Sequence, residues 1–380
     1  MIDHYNQPLT GSSMLNITRC FCFLLVCFVM SDPSAAQTYV TSPEVHDDGK
    51  VTYRFFAPDA ELVELSAGKH SGPMTKDDKG IWEKTVGPLT PDTYAYRFTV
   101  DGAAVLDPVN RHTKAWMWME NLVDVEVAGK PPAQHQIQNV PHGELHAHLY
   151  HSDQLNKARR FFVYTPPGYA DSEEDFPVLY LLHGFGDDES AWSRVGMANS
   201  ILDNVLSEGK SARFIVVMPS GHSSMPTSPD YQAYDLEGNA QSIETELLEN
   251  IKPMVESRYR CLTDRKSRGI AGLSMGGGQA VRIGLSHTDL FGWVTGYSAS
   301  IIKLGCHPAL DNHLEAIRKD QPELSLVCGD TDFLFEENVE FNKKLTELNI
   351  DHHHHWSQGG HTWDNWRSYL AETARTMFVE

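Results

Sequence analysis

The sequence predicts a small β-sandwich followed by a doubly wound, mostly parallel α/β domain. Residues 40–127 hold short runs of alternating apolar residues, such as 94–100, with turn signals roughly every 8–12 residues, a pattern typical of a sandwich. Continuous apolar runs at 177–182 and 214–218 predict strands buried on both faces. These runs alternate with helical segments such as 243–259, which indicates a parallel sheet covered by helices.

Length and composition divide the chain into four parts. We predict a secretory signal peptide at residues 1–36, an immunoglobulin-like β-sandwich at 37–128, a linker at 129–142 and the α/β domain at 143–380. A single hydrophobic core stops growing at roughly 250–300 residues, so a chain of 380 residues suits two domains better than one. The linker differs from its neighbours in being rich in Pro, Gln, His and Asn.

The signal-peptide prediction rests on the apolar run at residues 20–30. Arg19 precedes this run and Ser34-Ala35-Ala36 follows it, which is the order of a secretory signal. The run is too short to span a bilayer, which needs roughly 20 apolar residues. We therefore expect cleavage after Ala36, a secreted or periplasmic location, and a mature chain without a membrane partner. A short membrane anchor is the alternative.

The charge of the chain argues against a nucleic-acid partner. The formal net charge is −20, from 31 basic and 51 acidic residues, and no basic patch stands out. Nucleic-acid binders carry such patches, whereas an acidic surface keeps a secreted protein soluble. The charge does not identify a substrate, and the sequence leaves the oligomeric state open.

Three cysteines remain after the predicted signal peptide, namely Cys261, Cys306 and Cys328. Because the number is odd, at least one thiol is unpaired or is bonded between chains. The sequence leaves open whether any two of them pair.

Residues 272–278, Gly-Leu-Ser-Met-Gly-Gly-Gly, hold a G-x-S-x-G motif between a predicted strand and a predicted helix. In this setting the serine sits on a sharp turn, and the flanking glycines remove side chains that would clash with neighbouring backbone. The motif predicts that Ser274 is a catalytic nucleophile. The alternative is a glycine-rich turn that holds an inert serine.

A second motif, His183-Gly184-Phe185-Gly186, follows the buried strand at 177–182. The backbone N–H groups of Phe185 and of Met275 are the predicted oxyanion hole, which stabilises the negative oxygen formed during acyl transfer. We expect His183 to shape this loop rather than to react.

An acid and a base must follow the serine along the chain in that order. Asp330 and Asp332 come directly after a predicted strand, and we favour Asp332, with Asp330 as a turn residue. His361 lies in Gly-Gly-His-Thr-Trp, between the last strand and the last helix. It is the predicted base, oriented by the acid.

The histidine run at residues 352–355 is the one further candidate for metal binding. His353 and His355 would face the same side of a strand, but no carboxylate or cysteine motif accompanies them. We therefore expect no metal site, and a serine triad needs no cofactor.

Taken together, these motifs resemble the esterase group of the α/β-hydrolases, and most closely carbohydrate esterase family one. The resemblance rests on residues 181–186, 272–278 and 359–363, and it runs from about residue 143 to the C-terminus. Members of that family are feruloyl and acetylxylan esterases with the α/β-hydrolase fold. In that family the acid lies in a G-x-x-D segment, which supports Asp332 over Asp330.

The front of the chain resembles the early-set domains known as family-48 carbohydrate-binding modules. The resemblance rests on Ser42-Pro43, Phe56-Ala57-Pro58, Gly87-Pro88-Leu89 and Asp107-Pro108-Val109-Asn110. It implies an immunoglobulin-like fold in front of a secreted esterase. Trp116 and Trp118 would either stack on sugars or pack against the hydrolase domain, and the sequence does not choose between these roles.

The resemblance implies a polysaccharide or a small aromatic or acetyl ester as the substrate, with a feruloyl or acetyl group on a plant-type polysaccharide such as xylan. Side chains near the motifs and in the irregular stretch after Pro219 are candidates for the substrate pocket. These candidates are Trp192, Tyr231, Gln232, Trp363 and Trp366.

Two other functions compete with this one. A siderophore esterase would also carry an early-set-like domain, although such enzymes commonly depart from His-Gly at His183-Gly184. A non-catalytic glycan-binding protein with a decayed hydrolase domain is the alternative from another class. It is disfavoured because Ser274, Asp332 and His361 are all present.

Overall fold

The computed structural model describes residues 40–115, 117–227 and 233–379. The segment from Val40 onward forms one compact unit. Three sets of predictions fall outside the described residues: the signal peptide at 1–36, a possible sugar-stacking role for Trp116, and the pocket candidates Tyr231 and Gln232.

The described residues of the front part form a β-sandwich, as predicted. One sheet has the order β1-β2-β6-β5 and the other β4-β3-β7-β10-β9, with β8 paired to β7. Both sheets contribute to one core, in which the rings of Tyr53 and Tyr96 lie 4.6 Å apart. The strands are β1 Glu44–Val45, β2 Val51–Phe56, β3 Val63–Ser66, β4 Gly72–Pro73, β5 Thr75–Lys76, β6 Ile81–Val86, β7 Asp92–Val100, β8 Ala103–Val105, β9 Thr113–Ala115 and β10 Met119–Val125.

Residues 126–143, all of them described, contain turns but no helix or strand, and the sheet of the α/β domain begins after them. Its described strands have the order β11-β12-β14-β13-β15-β16-β17-β18. The pairs β11–β12 and β12–β14 are antiparallel, and the other pairs are parallel. The strands are β11 Glu144–Ser152, β12 Lys157–Thr165, β13 Val178–Leu182, β14 Ile215–Pro219, β15 Arg268–Leu273, β16 Trp293–Tyr297, β17 Glu323–Gly329 and β18 His353–Ser357.

Helices cover both faces of this sheet, which is why every residue of β15 is buried. Ile270 packs with one core cluster and Ala271 with the other, as alternate residues of a strand must. Side chains of α2 and α9 contribute to one cluster, and those of α5 and α8 to the other. The helices are α1 Ala191–Arg194, α2 Ala198–Ser207, α3 Leu236–Thr245, α4 Lys252–Arg258, α5 Met275–Ser286, α6 Cys306–Asn312, α7 Leu314–Lys319, α8 Phe335–Glu347 and α9 Trp363–Thr376.

The segment predicted as one helix at residues 243–259 is interrupted by a π-helical turn at Glu246–Ile251. Pro253 has no N–H and cannot close an α-helical bond to the preceding turn. Glu246 is fully buried, and its carboxylate accepts hydrogen bonds from Tyr150 and Ser152 at 2.6 Å. The missing donor at Pro253 interrupts the α-helical bonds here, which periodicity alone does not reveal.

The sandwich is joined to the α/β domain by a buried ion pair. Arg367 of α9 contacts Asp92 of β7 at 2.6 Å and also donates to the Val195 carbonyl. Burial raises the pKa of Asp92 to about 6, although the charge of Arg367 acts in the opposite direction. Asn204 of α2 donates to the carbonyls of Gln134 and Gln136 in the linker.

Three properties bear on the predictions from composition. Cys261, Cys306 and Cys328 are all free thiols. In the described part of the chain, no helix is both long and apolar enough to cross a membrane. Within the same ranges, no group of three or more His, Cys, Asp or Glu side chains is placed to hold a metal ion.

Replacing Arg367 by Met is expected to lower the free energy of unfolding by about 3–5 kcal/mol, because Asp92 would stay buried without its partner. Denaturant unfolding of the full chain measures this. Arg375→Met is the matched control, since Arg375 lies on the same helix but pairs with Glu208 near the surface. It should cost about 1 kcal/mol or less. Equal losses in the two variants would show that the buried pair does not anchor the sandwich.

Candidate active site

Ser274 lies on a strained turn between β15 and α5. Its φ and ψ angles are 54° and −116°, a region that residues other than glycine rarely adopt. A Cβ on Gly272 would lie 2.4 Å from the Gly276 carbonyl oxygen, and one on Gly276 would lie 2.4 Å from that of His183. Neighbouring backbone segments therefore approach too closely to leave room for a side chain at either position. This explains why the motif requires glycine there.

The three residues predicted as a triad form a continuous hydrogen-bonded chain. His361 Nε2 lies 2.9 Å from Ser274 Oγ, and His361 Nδ1 lies 2.9 Å from Asp332 Oδ2. The parallel strands bring them together, since each residue follows the carboxyl end of a strand: β15, β17 and β18. With Nδ1–H donating to the carboxylate, Nε2 is left as an acceptor for the serine proton.

The structure distinguishes the two candidate acids. Asp330 is exposed, and its carboxylate accepts the Gly359 N–H at 3.1 Å, so it serves the turn. Asp332 is buried against His361. Burial alone would raise the pKa of Asp332, but the hydrogen bond and charge of His361 outweigh it and hold that pKa below its usual range. Asp332 is therefore the carboxylate available to orient the histidine.

Two buried histidines, His183 and His222, support the predicted oxyanion loop through hydrogen bonds to backbone groups. His183 Nε2 accepts the Gly221 N–H at 2.8 Å while Nδ1 faces the Gly184 carbonyl, so the ring is neutral and structural, as expected. His222, which the sequence analysis missed, accepts the Gly186 N–H at 3.0 Å. Burial lowers the pKa of His222 to about 2, so it stays an acceptor.

One predicted oxyanion donor belongs to the loop after β13, and the other directly follows the nucleophile. Phe185 sits in the loop after β13, and the loop is close to the serine: a Cβ on Gly184 would lie 3.5 Å from Ser274 Cβ. Met275 is the first residue of α5, where a backbone N–H has no acceptor within the helix. Both donors therefore belong to backbone that is immobilised by the nucleophile turn and its supporting loop.

Ser274 and His361 open into a cavity of about 880 Å³. The α/β domain does not form it alone, because the sandwich supplies one of its walls. The lining residues from the sandwich include Lys69, His70, Tyr94, Lys114 and Glu120, and those from the α/β domain include Phe185, Asp187, Phe333, Trp363 and Trp366.

The structure corrects one pocket prediction and places two of the other candidates at the cavity, where their contact with substrate stays a prediction. Trp363 and Trp366 line the cavity, and the Trp366 ring stands perpendicular to that of His361 at 4.8 Å. Trp192 does not line it, because its side chain is only 1% exposed, behind Trp363, with its indole N–H bonded to the Leu182 carbonyl. Trp118 is 38% exposed, with the Arg97 guanidinium 5.1 Å from its ring centre.

Sequence reasoning missed the residues that the sandwich brings to the cavity. Lys114 and Glu120 pair at 3.0 Å on the hairpin of β9 and β10, whose Met117 packs against the hydrophobic core of the α/β domain. Asp187 was also missed, although it directly follows His-Gly-Phe-Gly in the sequence. No local sequence pattern identifies the hairpin residues, since their position in the cavity wall depends on how the sandwich docks on the α/β domain.

This arrangement can carry out acyl transfer. It combines a serine whose proton has an acceptor at 2.9 Å, a histidine held in one tautomer by a carboxylate, and backbone donors beside the serine. Esters, thioesters and activated amides are the groups that such a site can attack.

Two family models match the chain. The model described as "Putative esterase" matches residues 152–377, and the model described as "Carbohydrate-binding module 48 (Isoamylase N-terminal domain)" matches residues 40–116. These are the two groups that the sequence motifs resemble, so both resemblances are confirmed.

Among curated proteins, the endo-1,4-beta-xylanase/feruloyl esterase of Xylanibacter ruminicola is 30% identical over 262 residues, which are 66% of this chain and 35% of that protein. The chain spans about a third of the length of the first curated relatives that it matches.

Two solved structures are similar over different parts of the chain. A ferulic acid esterase has 27% identity and a TM-score of 0.54, over 62% of this chain and 98% of that one. The enterobactin esterase of Shigella flexneri has a TM-score of 0.63 and covers 87% of this chain and 93% of that one. Its identity is only 16%, so this second likeness concerns the fold alone.

The esterase model covers more than half of the residues, and within that range His361 Nε2 lies 2.9 Å from Ser274 Oγ, as a serine esterase requires. The chain therefore belongs to the family described as "Putative esterase", with the α/β-hydrolase fold and a module-48 β-sandwich in front of it.

Proposed function

We propose that this chain is a secreted serine carboxylic-ester hydrolase that removes feruloyl or acetyl groups from plant-type polysaccharide such as xylan. The observation that carries the proposal is the chain of hydrogen bonds from Ser274 through His361 to Asp332 at the mouth of a cavity of about 880 Å³. Secretion rests on the signal peptide predicted from residues 20–36.

In the first half of the reaction the enzyme is acylated. Ser274 Oγ forms a bond to the ester carbonyl carbon while its proton passes to His361 Nε2. The tetrahedral intermediate then collapses, the bond from carbon to the alcohol oxygen breaks, and His361 returns the proton to the leaving alcohol. Asp332 stabilises the imidazolium that exists between these two transfers.

In the second half a water molecule takes the place of the alcohol. His361 removes its proton, the water oxygen bonds to the acyl carbon, and the bond to Ser274 Oγ breaks with return of the proton to the serine. In both halves the N–H groups of Phe185 and Met275 stabilise the negative carbonyl oxygen. Losing one such donor typically costs about 100- to 1,000-fold in rate.

The cavity favours an aromatic acyl group over acetyl. Aromatic side chains surround the nucleophile, with Trp363 and Trp366 on one side and Phe185 on another. A cavity of about 880 Å³ is far larger than an acetyl group needs and is in the range that encloses a substrate of drug-like size. The named activities of the Xylanibacter relative and of the solved ferulic acid esterase support the same choice.

Hydrolysis of methyl ferulate and of acetylated xylan by the full chain, compared with Ser274→Ala, tests the proposal. We expect release of ferulate, with kcat falling by a factor on the order of a million in the variant, as for other serine triads. Release of acetate alone would restrict the function to acetyl groups. If the protein cleaves enterobactin but neither methyl ferulate nor acetylated xylan, the siderophore alternative would be supported. The absence of any Ser274-dependent ester cleavage would favour a glycan-binding protein.

The assignment of the acid is tested by two matched substitutions. Asp332→Asn is expected to lower kcat by roughly 10,000-fold, because the amide would favour the wrong tautomer of His361. Asp330→Asn should change kcat by less than about threefold, since the amide oxygen can still accept the Gly359 N–H in the turn. A pH–rate profile of purified protein measures both. The assignment is wrong if the two variants exchange these effects.

A further inference from the structure

A buried carboxyl without a complete set of partners lies in the wall of the cavity. Asp187 is 5% exposed and borders the same cavity as Ser274 and His361, and among the described residues its Oδ1 has no hydrogen-bond partner. Buried polar atoms are almost always paired, so one that is unpaired beside a ligand cavity calls for a functional explanation. The triad chemistry does not use this residue.

The Asp187 carboxyl lies on the loop that passes beside the nucleophile. The point where a Cβ on Gly184 would stand is 3.5 Å from Ser274 Cβ and 3.8 Å from Asp187 Oδ2. The Asp187 N–H also closes a turn on the Gly184 carbonyl, which fixes the carboxyl beside the oxyanion loop. Asp187 and Ser274 therefore flank the same glycine of the oxyanion loop, on the part of the cavity wall that is next to the nucleophile.

The charges around Asp187 come from two parts of the chain. The sandwich hairpin supplies Lys114 and Glu120, which pair with each other at 3.0 Å, and the loop itself supplies Asp188. Burial raises the pKa of Asp187 to about 8; Lys114 acts against this shift, and Asp188 and Glu120 add to it. At neutral pH the carboxyl is therefore protonated and can both donate and accept a hydrogen bond.

We propose that Asp187, which borders the cavity together with the Lys114–Glu120 pair of the β-sandwich, is a specificity-determining residue that hydrogen-bonds a hydroxyl group of the ester substrate beside the scissile bond. A hydroxyl fits this place because it satisfies a donor and an acceptor together. A substrate carboxylate would instead meet the carboxylate of Glu120, which lines the same cavity. The proposal deepens the proposed esterase function and rests on it.

The proposal also gives the sandwich a role in catalytic specificity. Without the hairpin of β9 and β10, Asp187 would lie at an open surface, where water would satisfy its oxygens and the carboxyl would ionise. The hairpin is part of this enclosure, since Lys114 and Glu120 line the cavity that Asp187 borders and Met117 packs against the core of the α/β domain. The neutral, selective form of Asp187 therefore depends on the docked sandwich.

The burial of a neutral acid has a consequence for stability. Below about pH 4 Asp187 is protonated in the folded and in the unfolded chain. Between about pH 4 and pH 8 only the unfolded chain loses the proton, so this residue makes the folded state less stable as the pH rises through that window. The Asn of Asp187→Asn cannot titrate, so this variant should have a larger free energy of unfolding than the wild type. The difference between the two proteins should be larger at pH 8 than at pH 5.

Denaturant unfolding at the two pH values measures that difference. Asp188→Asn is the matched control, because Asp188 lies on the same loop but caps Ser190 and lines a different cavity. It should show a smaller change between pH 5 and pH 8 than Asp187→Asn does. A difference for Asp187→Asn that does not grow with pH would overturn the neutral state that the proposal requires.

Specificity is tested with pairs of esters that differ only in hydroxyl groups. The alcohol-side pair is the propyl and the 2,3-dihydroxypropyl ester of ferulate or acetate, whichever acyl group the wild type releases. The acyl-side pair is methyl cinnamate and methyl 4-hydroxycinnamate. The measured quantity is the ratio of kcat/KM within a pair, which cancels any general effect on the triad. The responding pair identifies the side of the ester that carries the hydroxyl.

In at least one pair, the wild type should prefer the hydroxylated ester. Asp187→Leu should lower that ratio by roughly tenfold, the worth of one hydrogen bond, while Asp187→Asn and Asp188→Asn should keep it within about threefold. If Asp187→Leu does not fold, Asp187→Ala makes the same comparison. An unchanged ratio in both pairs would overturn the proposal while leaving the esterase function intact. A wild type that cleaves no ester would instead refute the esterase function itself.

Discussion

The constraint on which the site depends is the close approach of backbone to backbone around Ser274. The serine is held at a positive φ because Gly272 and Gly276 let the strand, the helix start and the loop at His183 pass each other without side chains between them. This close backbone approach fixes the positions of the serine, the first N–H of α5 and the oxyanion loop together. Strain of this kind persists only where the surroundings over-determine it, and here β13 and β16 flank β15 on both sides.

Helix α9 links the catalytic histidine to the sandwich. His361 lies two residues before α9, and Arg367 of that helix is the buried partner of Asp92 in the sandwich. Since α9 also packs against the sheet through Trp366 and Tyr369, one helix determines both where the base stands and where the sandwich docks. The sandwich is thereby part of the wall around the scissile ester, and its contribution to substrate choice does not require a separate glycan site.

Local chemistry explains which features could be predicted from the sequence. Strands at residues 51–56 and 81–86 were predicted with their observed bounds, because alternation and turn residues are local signals. The positions of Ser274, Asp332 and His361 followed from motif context and chain order. Trp192 was misplaced because a motif spacing does not show on which side of the sheet a ring will pack. Lys114 and Glu120 could not be identified from the sequence, since their place in the cavity wall beside Asp187 is set by tertiary docking.

The two buried aspartates of the site show how the surroundings divide their roles. Burial pushes the pKa of both carboxyls upward. At Asp332 the hydrogen bond and charge of His361 overcome burial, so the group stays ionised and can support an imidazolium. At Asp187 the Lys114 charge is close to Glu120 and does not overcome burial, so the group keeps its proton. A second full negative charge beside the oxyanion loop would oppose the charge that develops there during acyl transfer. Keeping Asp187 neutral therefore protects the reaction while leaving a donor in place for the substrate, and the sandwich hairpin is the element that makes both possible.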